Sequence, residues 1–499
     1  MKKKNRYTMT PTTLLPNTPA GTGGWHTAIV MVLSSLLIAA YCHFIGLNMM
    51  PLRGESGLFI AQAWGDGNRI GFIKPMLTHA YNGHFAPVFF GAEFVQASMF
   101  GVDVRWWFAR QMVVLGLLAT SLYLLNRSAL AFTTLSLRAS SVVASLAALV
   151  FVVQPTVLEL TTWPFMAAQL LCLACGAMAA GSLLTAVRTG EAKSLYLALA
   201  WGYASMHMFG VGFTISATIV AAGATVVWAR RLPVRAYGVT AAFGVLTVLH
   251  AAVMAQSASE PSGGVAVGWS DQAIRLGALY LGSIQGGARS LWANGRFPWP
   301  NPDSYQTDAV YGFALLLSLA AISLILLWHG RRDQKPLLVA YGMVVGLFAF
   351  STALYSALIV VRLQASTEMS AINPFLFGTR YLIFPAFFIF LLSPLLVISA
   401  ARTLGKWLIL PAALIGGGAA AATFAFFTTI TTLWPIFTTS FPVSWANVVS
   451  QARTDLNNDG YIHDRALSEL DPEFHAELHQ FSGVLEKDLG CTGCVRFSP

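Results

Sequence analysis

Charge is what this sequence has least of. Only 10% of its 499 residues are Asp, Glu, Lys or Arg, against roughly 25% in a soluble globular protein. So few charges cannot cover a water-facing surface of this size, and 56% of the chain is hydrophobic. Long apolar runs account for the imbalance, which makes the bilayer the solvent for most of the chain. The runs lack the alternation of an outer-membrane barrel, and open sheet edges would leave backbone groups unpaired in hydrocarbon. Helices are the architecture that remains. No repeat of about 20–50 residues is visible, which argues against a solenoid. The two halves show no matching broken helices, which weakens an inverted-repeat transporter. The net charge of +9 does not point to nucleic acid: the basic residues form short clusters between apolar runs, where they set topology.

The apolar runs predict an all-α polytopic membrane protein with about eleven transmembrane helices. They fall near residues 28–47, 107–125, 142–153, 165–187, 195–209, 211–228, 236–255, 310–328, 337–360, 381–400 and 407–433. The first is longer than a signal-peptide core and no small-residue cleavage site follows it, so it reads as an uncleaved helix. With residues 1–24 in the cytoplasm, alternate short loops carry Arg127 and Arg138, Arg188 and Lys193, Arg230, Arg231 and Arg235, then Arg331, Arg332 and Lys335, then Arg402 and Lys406. The opposite short loops near 154–163 and 208–210 carry no Lys or Arg. That asymmetry is the positive-inside signal. The transmembrane domain then occupies 25–434, with long outer loops at about 48–106 and 256–308, and 435–499 form a small extension on the outer side. The first outer loop holds an amphipathic stretch, Pro87–Phe100, expected to lie at the membrane interface. The second loop holds another, 273–292.

Of the 21 acidic residues only Glu191 and Asp333 fall on the inner side, and the spans hold almost no charge. A proton- or ion-coupled carrier needs ionisable groups at the midplane. Chemistry at the outer leaflet suits this distribution better. Glu55 stands just after the first span, where a carboxylate can take a proton from an attacking hydroxyl. Arg53, Arg69 or Lys74 are near enough in sequence to tune it; the plainer reading is an interfacial Glu in a turn. Lys74, His79 and His84 are donors able to hold a phosphate, or are members of an ordinary polar loop. His43, His207 and His250 fall near the outer ends of their spans and read as hydrogen-bonded packing residues. Arg380 and Tyr381 open a late span; a guanidinium there either binds a phosphate head group or snorkels to the interface.

In this order the residues resemble the GT-C glycosyltransferases of bacterial envelopes. The resemblance rests on Glu55 ahead of Leu58-Phe59-Ile60-Ala61, on His84-Phe85-Ala86-Pro87 through Phe100-Gly101, on Arg105 or Arg110 ahead of the second span, and on Arg380-Tyr381. It covers residues 25–130 closely and the remainder by topology. Gly54 stands where that family commonly has a second acid, which brings in Asp66 as the substitute base. The resemblance implies transfer of a sugar from a polyprenyl-phosphate carrier to an envelope glycan, lipid or protein. It implies inversion at the anomeric carbon, and a location in the bacterial inner membrane with the C-terminus periplasmic. No cofactor is required in the core on this reading. A flippase for the same saccharide, a saccharide polymerase, or a non-catalytic assembly protein are the competing readings.

The extension carries two further motifs. Asp455, Asn457 and Asp459, with Gly460 and Ile462, match the start of a calcium loop. Its twelfth position is Ala466, where a bidentate Glu belongs, leaving Asp464 or Glu469 to substitute; a solvated Asx-rich turn is the alternative. Cys491 and Cys494 pair most simply as a disulfide in an oxidising compartment. With His475 and His479 they also make a four-ligand zinc set.

Overall fold

The computed structural model describes residues 29–30, 32–33, 55–64, 69–81, 84–132, 135–152, 157, 160–161, 163–257, 268–291, 304–329, 335–362, 382–387, 389–390, 445–463 and 478–497. Among the described residues there is no strand, only the isolated bridges Tyr81–His84 and Ile462–Phe497. Among the described residues, five helical segments are long and apolar enough to cross a membrane: Arg105–Leu130, Pro164–Thr189, Gly212–Arg230, Val234–Gln256 and Gly342–Val360. The chain is a helical membrane protein. The spans expected at 28–47, 381–400 and 407–433 lie largely or wholly outside the described residues.

Among the described residues, three short helices occupy the segment expected to form the first outer loop: α1 (Glu55–Trp64), α2 (Arg69–Thr78) and α3 (Pro87–Phe100). The long bundle follows as α4 (Val104–Leu130), α5 (Leu137–Val152), α6 (Ala167–Thr189), α7 (Ala192–Met206), α8 (Gly212–Arg230) and α9 (Val234–Ser257). Then come α10 (Trp269–Leu291), α11 (Tyr305–His329), α12 (Lys335–Arg362), and in the extension α13 (Trp445–Asp459) and α14 (Ser482–Leu489).

Glycine and alanine in α6 let the bundle close. An added Cβ at Gly181 would lie 3.2 Å from the Leu125 backbone, and one at Gly176 would lie 2.9 Å from Ile215. Close backbone approach of this kind drives helix association where lipid supplies no hydrophobic force between helices. The contacts also give the bundle a polarity. Ser128 near the end of α4 meets Thr185 near the end of α6 at 3.4 Å. Arg230, ending α8, donates to the Val187 carbonyl near the end of α6. The ends bearing Arg127, Arg188 and Arg230 therefore share one face. At the opposite end Gln111, early in α4, donates to the Trp163 carbonyl just before α6, at 3.2 Å.

The first-loop helices cap that opposite end. Pro87 takes the first position of α3, where its missing N–H costs nothing. Phe59, Phe90 and Phe165 form a buried cluster, with ring centroids 6.1 Å apart for both pairs made by Phe59 and 6.2 Å for Phe90–Phe165. Such pairs contribute about 0.5–1.5 kcal/mol each beyond their area. Val88, Val95 and Met99 on the other side of α3 are exposed, as a lipid-facing surface requires. The second-loop helix α10 departs from a purely surface position. Its start, with Trp269 and Ile274, is exposed, but Leu279, Ser283, Ile284, Gln285 and Ala288 are buried. Glycine is again the reason: Gly287 leaves space for Pro385 and Ala386, and Gly312 of α11 lets the Leu281 carbonyl approach.

Candidate functional site

Glu55 is the first residue of α1 and is half-buried. The unsatisfied N–H groups of a helix's first turn favour a carboxylate there. Its neighbour Ser56 fixes the position of that turn: Ser56 Oγ donates to Glu93 Oε1 at 2.5 Å. Glu93, fully enclosed on α3, pairs with Arg110 of α4. Arg110 also donates to Gln96 Oε1 at 2.9 Å and to the Pro164 carbonyl at 2.5 Å, and its guanidinium lies 4.8 Å from the Trp107 ring centre. One ionic node thus ties the Glu55 helix to α3, to α4 and to the start of α6. Asp103 caps α4, accepting from the Arg105 backbone N–H at 3.1 Å and from its guanidinium at 2.9 and 2.6 Å.

A histidine-rich nest lies at the same end of the bundle. His84 precedes α3, and its main chain exchanges two 2.8 Å hydrogen bonds with Tyr81. The His84 ring stacks on Phe209 with centroids 4.3 Å apart, and Gly210 beside it has no space for a side chain. His207, at the end of α7, sits 5.3 Å from His250 of α9, centroid to centroid. Phe85 covers His250 at 4.9 Å, and Tyr203 meets His207 edge-on at 4.8 Å. The Phe89 N–H donates to the His207 carbonyl at 3.1 Å, which sets the first-loop helices against the nest.

No family model, no curated protein and no solved structure matches this chain.

The geometry separates residues that the sequence groups together. Lys74 and His79 are exposed on and just after α2, where Thr78 Oγ1 lies 2.9 Å from the Lys74 carbonyl and 2.8 Å from His79 Nδ1. His84 is instead packed into the aromatic nest, beside His207 and His250, which read in sequence only as packing residues. Asp66, Arg380 and Tyr381 lie outside the described residues. Glu93 is the partner that the sequence does not single out, and Arg110 enters there only through the resemblance; the one signal for the pair was an Arg soon after an interfacial helix that itself carries an acid.

In the extension, Asp455, Asn457 and Asp459 lie on the last turns of α13 rather than in a loop. Helical residues two apart point to different sides. Asp455 is buried and accepts from Gln451 at 2.7 Å, while Asp459 is exposed and meets His463 at 3.2 Å. Asp455 and Asp459, four apart, share one face of α13, and Asn457 between them stands on another. Asp464, Ala466, Glu469 and His475 lie outside the described residues. Cys491 and Cys494 are joined as a disulfide with Cα atoms 5.9 Å apart. Among the described residues no three His, Cys, Asp or Glu side chains form a metal-binding group. The extension packs on α1: Lys487 lies 5.0 Å from the Trp64 ring centre, and Gly483 lies against the Trp64 carbonyl.

Proposed function

We propose that the chain is a bacterial inner-membrane glycosyltransferase of about eleven spans, which moves a sugar from a polyprenyl-phosphate carrier to an envelope acceptor at the periplasmic face. The observation that carries this reading is the placing of Glu55. It is a half-buried carboxylate at a helix start, anchored through Ser56 and the enclosed Glu93–Arg110 pair, at the end of the bundle that also holds His84. The shared face of Arg127, Arg188 and Arg230 is then cytoplasmic, by the positive-inside rule.

On this reading Glu55 removes the proton from the acceptor hydroxyl as its oxygen attacks the anomeric carbon, with Asp66 as the substitute. The bond to the carrier phosphate breaks on the opposite side, and the configuration inverts. Arg380 and Tyr381, with either the exposed Lys74 and His79 or the separately packed His84, stabilise the charge that develops on the departing phosphate. The test compares envelope glycans of cells carrying the wild type and Glu55→Gln at matched expression. A loss of about 100-fold or more in product is expected for removal of a general base. Unchanged glycans would remove Glu55 from the mechanism and leave Asp66 as the base to test.

A further inference from the structure

We propose that His207 and His250 form a two-histidine site for a divalent transition-metal ion of zinc-like preference. The two rings come from different helices, the end of α7 and the body of α9, with centroids 5.3 Å apart and planes at 88°. Two imidazole nitrogens at about 2.1 Å from a tetrahedral ion put their ring centroids roughly 5 Å apart. The pair is therefore already at the spacing that a shared ion requires.

The nitrogens are prepared for the role. His207 Nδ1 and His250 Nε2 are both enclosed without a hydrogen-bond partner. A buried polar atom left in that state is costly, and the cost is relieved by whatever ligand completes it. His250 hydrogen-bonds the Phe85 main chain. A carbonyl acceptor there holds the ring proton on Nδ1 and leaves the Nε2 lone pair available. Metal-ligating histidines have this second contact, which fixes both the tautomer and the ring orientation. His250 is only 5% exposed, while His207 is half-buried, so the site has a dry floor and one more open side. Phe85 and Tyr203 wall it.

Imidazole pairs suit Zn, Cu and Ni, whereas Mg and Ca take oxygen donors. With two protein ligands, two positions of a tetrahedral ion are left for water or for oxygens of a bound molecule, one more than a three-ligand catalytic zinc site leaves. The inference is independent of the transferase reading, which calls on neither nitrogen.

The deciding experiment uses the full-length, untagged protein in lipid nanodiscs, titrated with Zn²⁺ alone against a chromophoric chelator and with Co²⁺ alone for its visible spectrum. The wild type is expected to bind one equivalent and to show the intense bands of a tetrahedral Co²⁺ centre. His207→Ala and His250→Ala are expected to weaken binding by about 100-fold or more. His79→Ala and His479→Ala, at exposed positions, are expected to bind as the wild type does. Because His250 is enclosed, the half-buried His207→Ala decides the matter if His250→Ala fails to fold. Absence of stoichiometric binding in the wild type, or wild-type binding by His207→Ala, would overturn the proposal.

Discussion

Glu93 meets Ser56 and Arg110 in a fully enclosed position, and an isolated charge there has no water to turn to. Arg110→Ala is therefore expected to destabilise the protein by about 3–5 kcal/mol, since it strands the Glu93 carboxylate. Glu93→Leu together with Arg110→Leu is expected to cost far less, because neither charge is then left alone. Thermal unfolding in detergent, read at the same pH for both variants, checks the ordering. Asp103 gives a pH prediction with a definite sign. The hydrogen bond from Arg105 holds its carboxyl below the ordinary aspartate value of 3.8. A depressed acid contributes stability that is present above 3.8 and disappears as pH falls through the lower folded value. The contribution is small because the pair is exposed. Asp103→Asn keeps the helix cap and is expected to lose that acid-limb component, visible in melting temperatures between about pH 5 and pH 2. The sequence marks Glu93 only as one more outer acid, since its partner lies across a helix turn that periodicity does not reveal.

The extension's hold on α1 belongs to the scale of elements. Phe481, Val484 and Leu485 are buried, Trp445 Nε1 donates to Asp488 at 2.6 Å, and Gly483 fits only because it has no side chain: a Cβ would lie 2.6 Å from the Trp64 carbonyl. Gly483→Val is expected to lift α14 from α1 at a cost of about 1–3 kcal/mol, typical of overpacking. Limited trypsin digestion checks it: Lys487 and Arg496 should become cleavable at lower protease doses while the bundle stays resistant. The small-residue faces of α6 and α10 work in the same way. Replacing Gly181 with Leu is expected to push α6 from Leu125 and to unfold the bundle at lower temperature, because backbone cannot yield as a side-chain tip can. Helix α10 shows what an amphipathic pattern leaves out. The pattern identifies a polar side, but not that the glycines beside it let neighbouring backbones close over Gln285 and Ser283.

For the whole molecule, the contact between the extension and α1 places both on one side of the membrane. A single cysteine at exposed Tyr461 and another at exposed Ile70 are both expected to react with an impermeant maleimide added from the periplasmic side, in a background lacking the other cysteines. Reaction of only one would break the proposed topology. Composition alone determined that lipid is the solvent, because 10% charge cannot dress a soluble fold, and the apolar run lengths determined helices, because hydrocarbon tolerates no unpaired backbone. The basic clusters likewise marked one set of helix ends from sequence, since charge crosses a bilayer only at high cost. Tertiary structure alone decided which side chains meet. Glu93 finds Arg110, His207 finds His250, and Lys74 and His79 part from His84, because such neighbours are set by helix crossings, and those crossings depend on where small residues let two backbones approach.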